Sequence, residues 1–131
     1  MILADTSAWV EYDRATGSAT DQALTSLITD GGGRLAVPEP VLMEVLAGAK
    51  DETRHTQLER LLKSFLWLGA DPVSDLTGAA KLYRACRAGV VTPRGLIVCM
   101  IAGIAIRTGA ELLAADQDFV DMARILPLRL A

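Results

Sequence analysis

The chain has 131 residues, which is the size of one domain with a substantial core. Its formal net charge is −3 and its pI is near 5.1, which argues against nucleic-acid binding by bulk positive charge. Hydrophobic residues make up 51% of the chain and mean hydropathy is +0.32, which suggests an apolar partner surface beyond the core. The longest apolar run, residues 96–106, is too short to span a bilayer.

Cysteine and histidine usage favours a reducing compartment and argues against zinc. Cys86 and Cys99 show neither CxxC nor paired spacing, so we expect buried thiols rather than a disulfide. The single His55 lies in a charged stretch without neighbouring cysteines, and zinc is therefore not expected. Asp5 interrupts the N-terminal apolar run before a signal-peptide core could form. These features predict a cytoplasmic protein without a membrane segment.

Apolar periodicity and turn residues predict alternating strands and helices in the first half of the chain. The predicted elements are, in order, a strand at 2–5, a helix at 6–14, a helix at 18–29, a strand at 34–37, a helix that opens at Pro38, a helix at 53–65 and a short strand at 66–70. Thr6 or Ser7 is expected to cap the first helix, and the glycine run 31–33 to end the second. Proline fits the first turn of the helix that carries Glu44.

The second half of the chain is predicted to continue the alternation. The predicted elements are a helix at 74–88, a very apolar helix from Thr92-Pro93 to about Thr108-Gly109, a strand at 111–115, a short helix at 119–124 and a final strand at 126–130. Ser74 and Asp75 are expected to cap the helix at 74–88. Its apolar face is predicted to include Leu76, Ala79, Ala80, Tyr83 and Cys86. Strands separated by helices imply a parallel sheet covered on both faces.

Acidic residues lie at the ends of three separate predicted elements. Asp5 ends the first strand, Glu44 lies in VPEPVLMEVLAG, and Asp116 follows ELLAA with Asp118 two residues on. Each acid alone has an ordinary explanation as a helix cap, a turn residue or a solvated surface group. Together they would repel one another unless a cation intervened, and Mg²⁺ or Mn²⁺ prefers carboxylate oxygens. The set therefore predicts a metal site at the carboxyl ends of the strands.

The basic residues give a weaker indication of a phosphate ligand. The candidate contacts are Arg14, Arg34, Arg94 and Arg107, although most arginines are solvated surface residues. Trp9 is expected in the core rather than as a platform for base stacking.

The motifs resemble those of the PIN-domain ribonucleases, in particular the VapC-type toxins of toxin–antitoxin pairs. ILADTSAWVEY is similar to the opening strand and first acid of that family, VPEPVLMEVLAG to its second acidic segment, and TGAELLAADQDFVDMARILPLRL to its C-terminal segment. The resemblance covers essentially the whole chain. It implies that residues 1–131 form a single PIN-like domain of class α/β, with three layers and a mainly parallel sheet.

The resemblance also implies an endoribonuclease that depends on Mg²⁺ or Mn²⁺. The residues it assigns are Asp5, Glu44 and Asp116 as catalytic acids, these three with Asp118 as metal ligands, and Thr6 and Ser7 as supporting residues. Of the arginine candidates, Arg14 and Arg94 are retained as weaker predictions of contact to RNA phosphate. It further implies a homodimer and a VapB-like antitoxin. An amphipathic segment of the antitoxin would lie in an apolar groove lined by the helices of residues 38–65.

One position departs from the family pattern. The family commonly has an Asp about a turn after an Arg in the segment that reads TPRGLIVCMIAGIAIRTG here, and Val98 stands at that position. No acid lies anywhere from Leu76 to Ala110. Catalysis is therefore expected to be weak or absent, whether Val98 is natural or is an engineered or selected change. The alternative function is a non-catalytic module of the same fold that dimerises and binds an antitoxin.

Two other α/β classes fit the sequence less well. A phosphoacceptor receiver domain requires paired acids after the first strand and a lysine near the last, but Lys50, Lys63 and Lys81 are all central. A phosphatase of the haloacid-dehalogenase type requires a second Asp where Ser7 stands.

Overall fold

The computed structural model describes all residues from 1 to 131, as four strands and seven helices. The strands are β1 Ile2–Ala4, β2 Leu35–Pro38, β3 Leu66–Leu68 and β4 Glu111–Leu113. The helices are α1 Thr6–Asp13, α2 Ala19–Thr29, α3 Glu39–Ala47, α4 Glu52–Leu62, α5 Ser74–Ala88, α6 Leu96–Thr108 and α7 Gln117–Met122. All strand pairs are parallel, which confirms the predicted α/β fold.

The order of the strands places a reversal beside β1. The sheet runs β3-β2-β1-β4, so the chain adds β2 and β3 on one side of β1 and then crosses to add β4 on the other. In register, Ala4 at the end of β1 lies opposite Leu113 at the end of β4. Ligands of open parallel sheets bind at the carboxyl ends of the strands where the order reverses. Asp5 directly follows β1 at this point.

The apolar interior is built around the sheet and α6. A cluster of 27 buried residues includes the whole of β1 and the fully buried Trp9, which confirms that this tryptophan is a core residue. Helix α6 carries six buried side chains and packs against α5. Gly103 allows this approach, because a Cβ there would lie 3.3 Å from a methyl carbon of Leu82. Helix α6 ends at Gly109, whose φ of +70° suits a residue without a side chain.

Both cysteines are buried and free, as the sequence predicted. None of the seven helices combines the length and the apolarity that crossing a bilayer would need.

Several predicted helix starts were wrong. Asp5, rather than Thr6 or Ser7, is the N-cap of α1, because its side chain accepts the N–H of Ser7. Helix α6 begins at Leu96 rather than at Thr92-Pro93, and the extended Gly95 precedes it.

The capping of α5 also differs from the prediction. Neither Ser74 nor Asp75 caps the helix, since the Asp71 carboxylate accepts the N–H groups of Val73 and Ser74. Asp75 is instead turned inward, where Arg107 donates to both of its oxygens at 2.9 Å. A carboxylate this deeply buried requires such a partner.

Two smaller predictions about packing and pairing were also wrong. Leu76 and Ala80 are exposed, because α5 turns Ala79 and Cys86 toward α6. The final strand at 126–130 is reduced to a single bridge between Leu112 and Leu130. Pro127 has no N–H to donate to a longer ladder.

Candidate active site

Asp5 is the most deeply buried acid at the carboxyl edge of the sheet. Its backbone N–H donates to the carbonyl of Leu113 at 2.9 Å, and its side chain is anchored at the start of α1. The Oδ2 atom accepts from the Ser7 N–H at 2.9 Å and from the Ser7 hydroxyl at 2.7 Å. Only 2% of Asp5 is exposed, and this burial raises its pKa although the Ser7 hydrogen bonds act in the opposite direction.

Thr6, the residue after Asp5, orients Glu44 toward Asp5. The Thr6 hydroxyl donates to Glu44 Oε1 at 2.6 Å, which links α1 to α3. The negative charge of Glu44 contributes to the raised pKa of Asp5, after the larger effect of burial. Glu44 therefore lies on the Asp5 side of the sheet edge. Helix α3 places it there, since Glu44 is half-buried between the core residues Val41 and Val45 and the cavity beside α1.

Ser7 connects Asp5 to the loop that carries Asp116. The Ser7 hydroxyl accepts the N–H of Ala115 at 2.9 Å while it donates to Asp5, so one side chain fixes both segments. Asp116 is the N-cap of α7, where its Oδ1 accepts the N–H of Asp118 at 2.9 Å. The acids that follow β1 and β4 are thus held by one hydrogen-bonded chain across the sheet edge.

Arg94 contacts both Asp116 and Asp118. Its Nη2 lies 2.8 Å from Asp116 Oδ2, and its backbone N–H donates to Asp118 Oδ2 at 2.9 Å. The guanidinium contact balances charge but lacks hydrogen-bond geometry, so the buried Asp116 Oδ2 has no hydrogen-bond donor. Arg94 also lines an open cavity of about 380 Å³ with Ser7 and Ala115.

The donor set suits a hard cation in part. A buried carboxylate oxygen without a donor, as at Asp116, is the kind of atom that Mg²⁺ or Mn²⁺ coordinates. No three acidic, histidine or cysteine side chains lie close enough together to hold an ion by themselves. Water or phosphate oxygens would have to complete the shell, which is common for Mg²⁺. Coordination of one ion by Asp5, Glu44 and Asp116 together stays a prediction.

Val98 lies in the first turn of α6, four residues after Arg94. It is 5% exposed and belongs to the apolar core, and it is not one of the residues that line the 380 Å³ cavity. The next residue is close to the acids: burial, Cys86 and then Asp118 raise the pKa of the Cys99 thiol to about 11. No acidic side chain and no capping side chain stand at this start of α6. The structure thus places Val98 in the apolar core, and its proximity to Asp5 and Asp116 stays a prediction.

The other arginine candidates have different surroundings. Arg107 is bound to Asp75, and Arg34 precedes β2 at the amino end of the sheet, so neither lies with the acids at the carboxyl edge. Arg14 is exposed at the end of α1 and forms no ion pair. The sequence reasoning missed the Thr6–Glu44 and Arg94–Asp116 contacts, because nothing local signals pairs so distant along the chain.

Comparison with known proteins assigns the chain to a family. The model of the PIN domain matches residues 2–125. Ribonuclease VapC11 of Mycobacterium tuberculosis is 46% identical over 131 residues, which cover 100% of this chain and 98% of that protein. A VapC ribonuclease of Mycobacterium bovis shows the same identity and coverage.

Solved structures support the same assignment at the level of the fold. VapBC2 from Rickettsia felis, bound to a promoter DNA fragment, superposes with a TM-score of 0.77 at 20% identity, covering 100% of this chain and 98% of that one. VapC20 of Mycobacterium tuberculosis, a toxin that cleaves the sarcin–ricin loop, gives a TM-score of 0.69 at 16% identity, with coverage of 98% and 99%. The chain therefore belongs to the PIN-domain family and, within it, to the VapC-type group.

Proposed function

We propose that this chain is a VapC-type toxin built to hydrolyse RNA phosphodiester bonds with Mg²⁺ or Mn²⁺, and that Val98 weakens its catalysis. The observation that best supports this proposal is the position of the buried Asp5 carboxylate, where the strand order reverses. The Ser7 hydroxyl donates to this carboxylate and accepts from the backbone of the loop that carries Asp116. The ribonuclease names of relatives at 46% identity support the same activity.

Each residue of the site has a role in this proposal. Asp5 and Asp116 would hold the ion, Glu44 would hold the ion or its water, and Asp118 would support them. When bound, the ion would neutralise the scissile phosphate and lower the pKa of an attacking water. Ser7 and Thr6 fix the carboxylates of Asp5 and Glu44 before any substrate arrives. Such preorganisation lowers the cost of reaching the transition state.

Arg94 has a separate role, because its guanidinium is already beside the acids. It balances the Asp116 charge in the free protein, and much of its side chain remains exposed. With an ion bound at Asp116, the Arg94 guanidinium would be free to bind an incoming phosphate. The exchange would leave neither charge uncompensated.

The test is a cleavage assay that uses the chain and a variant with the acid restored at position 98. The parent, Val98→Asp and the double variant Val98→Asp/Asp116→Asn are incubated with fluorescent single-stranded RNA, with Mg²⁺, with Mn²⁺ or with chelator. We expect metal-dependent cleavage that is clearly faster for Val98→Asp than for the parent, and that Asp116→Asn removes. A folded Val98→Asp protein that cuts no RNA with either metal would overturn the proposal.

A second candidate is the non-catalytic module that only binds its partners. Two observations favour it, namely the core position of Val98 and the lack of three acids at metal-binding distance. It predicts that the parent and Val98→Asp are equally inactive while both still form the complex with an antitoxin.

The proposed partners are a second copy of the chain and a VapB-like antitoxin. Large apolar side chains are exposed at Met43, Leu76, Leu96 and Ile97. A small cavity lined by Trp9, Val10, Val45 and Leu58 also contains Glu44, so an antitoxin segment could place apolar groups inside it and a basic group at the acid. Sedimentation that shows only monomer at high concentration would count against the dimer. The proposed place of action is the cytoplasm.

A further inference from the structure

Three neighbouring cavities follow one another along α1, and we call them together the groove. The cavity beside Ser7 and Arg94 shares Val10 with the smaller cavity that contains Glu44. That cavity in turn shares Asp13, Arg14 and Gly48 with a third cavity of about 600 Å³. From Thr6 to Asp13 the groove follows two turns of helix, a rise of about 10 Å. One end of the groove is therefore lined by Glu44 and by Ser7, beside the acids Asp5, Glu44 and Asp116 that we call the acidic site.

The far end of this groove, which we call the basic cleft, has the opposite charge to the acidic site. Its lining contains no hydrophobic side chain, and it includes Arg14, Lys50 and Arg54 with Asp13 as the only acid. Arg54 is fixed in place, since its Nε donates to Asp13 at 2.6 Å and its Nη1 donates to Gln57 at 3.0 Å. Arg14 and Lys50 are exposed and form no ion pair. The basic cleft therefore carries surplus positive charge.

We propose that the basic cleft binds a backbone phosphate of the RNA strand whose scissile phosphate lies at the acidic site. The inference rests on the proposed function and identifies where the substrate continues. A chain with a net charge of −3 repels RNA at long range, so binding needs local cations. RNA carries a phosphate at every nucleotide, and a strand that follows the groove must bring one of them to Arg14 and Lys50.

An acidic protein segment would also be attracted to these cations, but RNA fits the whole groove better. The cavities of the groove lie in a row from the basic cleft to Ser7 and Ala115 beside the acidic site, where a phosphate is required. A strand bound across both ends would also be fixed in direction relative to the catalytic acids, and phosphate contacts of this kind set register rather than read sequence.

The chain offers a matched control for the test. Lys81 and Arg84 on α5 are also exposed and form no ion pair, but they do not line any cavity of the groove. Binding of a short fluorescent single-stranded RNA is measured in Mg²⁺ at several salt concentrations, and gels verify that the RNA stays intact. The proteins compared are the parent, Arg14→Ala/Lys50→Ala and Lys81→Ala/Arg84→Ala, and thermal melting checks that each is folded.

The salt dependence decides the result. Each neutralised phosphate of a single strand contributes about 0.7 to the slope of log affinity against log salt, so losing the one phosphate bound at the basic cleft should make the slope shallower by about 0.7. We expect this for Arg14→Ala/Lys50→Ala together with weaker binding, and no change in slope for the control. Equal changes in both variants would indicate unspecific attraction and overturn the proposal. A parent that binds no RNA would also overturn the proposal. So would an Arg14→Ala/Lys50→Ala variant that binds RNA like the parent but has lost binding to an antitoxin.

Failure of this inference is separable from failure of the proposed function. The Val98→Asp cleavage assay reports on the acidic site alone. RNA cleavage by Val98→Asp with an unchanged salt slope in Arg14→Ala/Lys50→Ala would retain the nuclease and reject the basic cleft as a subsite.

Discussion

The stability of Val98→Asp in the presence and absence of metal tests how position 98 relates to the acids. Val98 is the third residue of α6 and is 5% exposed, so the substitution places a carboxyl group at the edge of the core. The helix begins there without any acidic or capping side chain. An acid in the first turn would be attracted by the helix dipole. The outcome therefore depends on burial, the helix terminus and a bound ion together.

The magnitudes of these three effects can be compared. Losing the buried valine side chain costs about 1.5 to 3 kcal/mol. Burying a carboxyl group without a full set of partners costs about 1 to 3 kcal/mol more. The interaction of the new carboxylate with the N-terminus of α6 offsets about 0.3 to 1 kcal/mol of this loss. In chelator we therefore expect Val98→Asp to be less stable than the parent by about 1.5 to 6 kcal/mol; a central value of about 3.5 kcal/mol lowers the Tm by roughly 14 °C in a chain of this size.

Metal should return much of this loss if the new carboxylate joins the acids. An ion at about 100 times its Kd stabilises the folded state by about 2.7 kcal/mol, or roughly 10 °C in Tm. Thermal melting with chelator and with increasing Mg²⁺ or Mn²⁺ measures this gain. Val98→Asn is the matched control, because the amide has the shape of Asp but no charge to attract the ion. It should lose stability to a similar extent and recover far less with metal.

The refuting result is specific. If Val98→Asp and Val98→Asn melt at the same reduced temperature whatever the metal concentration, position 98 is a core site that does not reach the ion. The assignment of Val98 to the place of a missing ligand would then be wrong.

Three further predictions follow from individual side chains. Because burial raises the pKa of Asp5, its folded form holds a proton more tightly than its unfolded form, and stability should fall as pH rises from 3.8 through the raised value. Asp5→Asn, whose amide oxygen can still cap α1, should melt higher than the parent in chelator near pH 7 and equally below pH 3.8; a lower melt near pH 7 would contradict this. Arg107→Ala leaves the Asp75 side chain, which is 4% exposed, without its partner, and should lower the free energy of unfolding in urea by about 2 kcal/mol. The loss is smaller than for a fully buried pair because the Arg107 side chain is 41% exposed, and a loss no larger than that of Arg84→Ala would refute the prediction. The Cys99 thiol, with a pKa of about 11, should resist iodoacetamide near pH 8 in the folded protein and react once unfolded, as followed by mass spectrometry.

The local pattern of the sequence was enough for the alternation of elements and for two of the acids. Short apolar runs separated by helical periods can be buried only as parallel strands covered by helices. Once the strands are parallel, Asp5 after β1 and Asp116 after β4 must lie at the same edge of the sheet. The opening and final segments also carried the family resemblance, which the match to residues 2–125 confirmed.

Helix boundaries and caps were less predictable, because several residues could satisfy the same backbone groups. Asp5 caps α1 although Thr6 and Ser7 were equally plausible by type. At α5 the N-cap is Val73, which has no capping side chain, and Asp71 accepts the N–H groups of Val73 and Ser74. Asp75, which the sequence suggested as a cap, is buried and binds Arg107.

Only the tertiary structure decided which distant side chains meet. The contacts of Thr6 with Glu44 and of Arg107 with Asp75 join residues 38 and 32 positions apart. The grouping of Arg14 with Lys50 in the basic cleft likewise depends on how the segment after α3 packs beside α1. A sequence pattern reports on neighbours within a few turns, whereas these contacts follow from the angles and rotations with which whole helices pack on the sheet. Periodicity shows which face of a helix is buried, but the partner of a polar side chain at the edge of that face depends on the final packing.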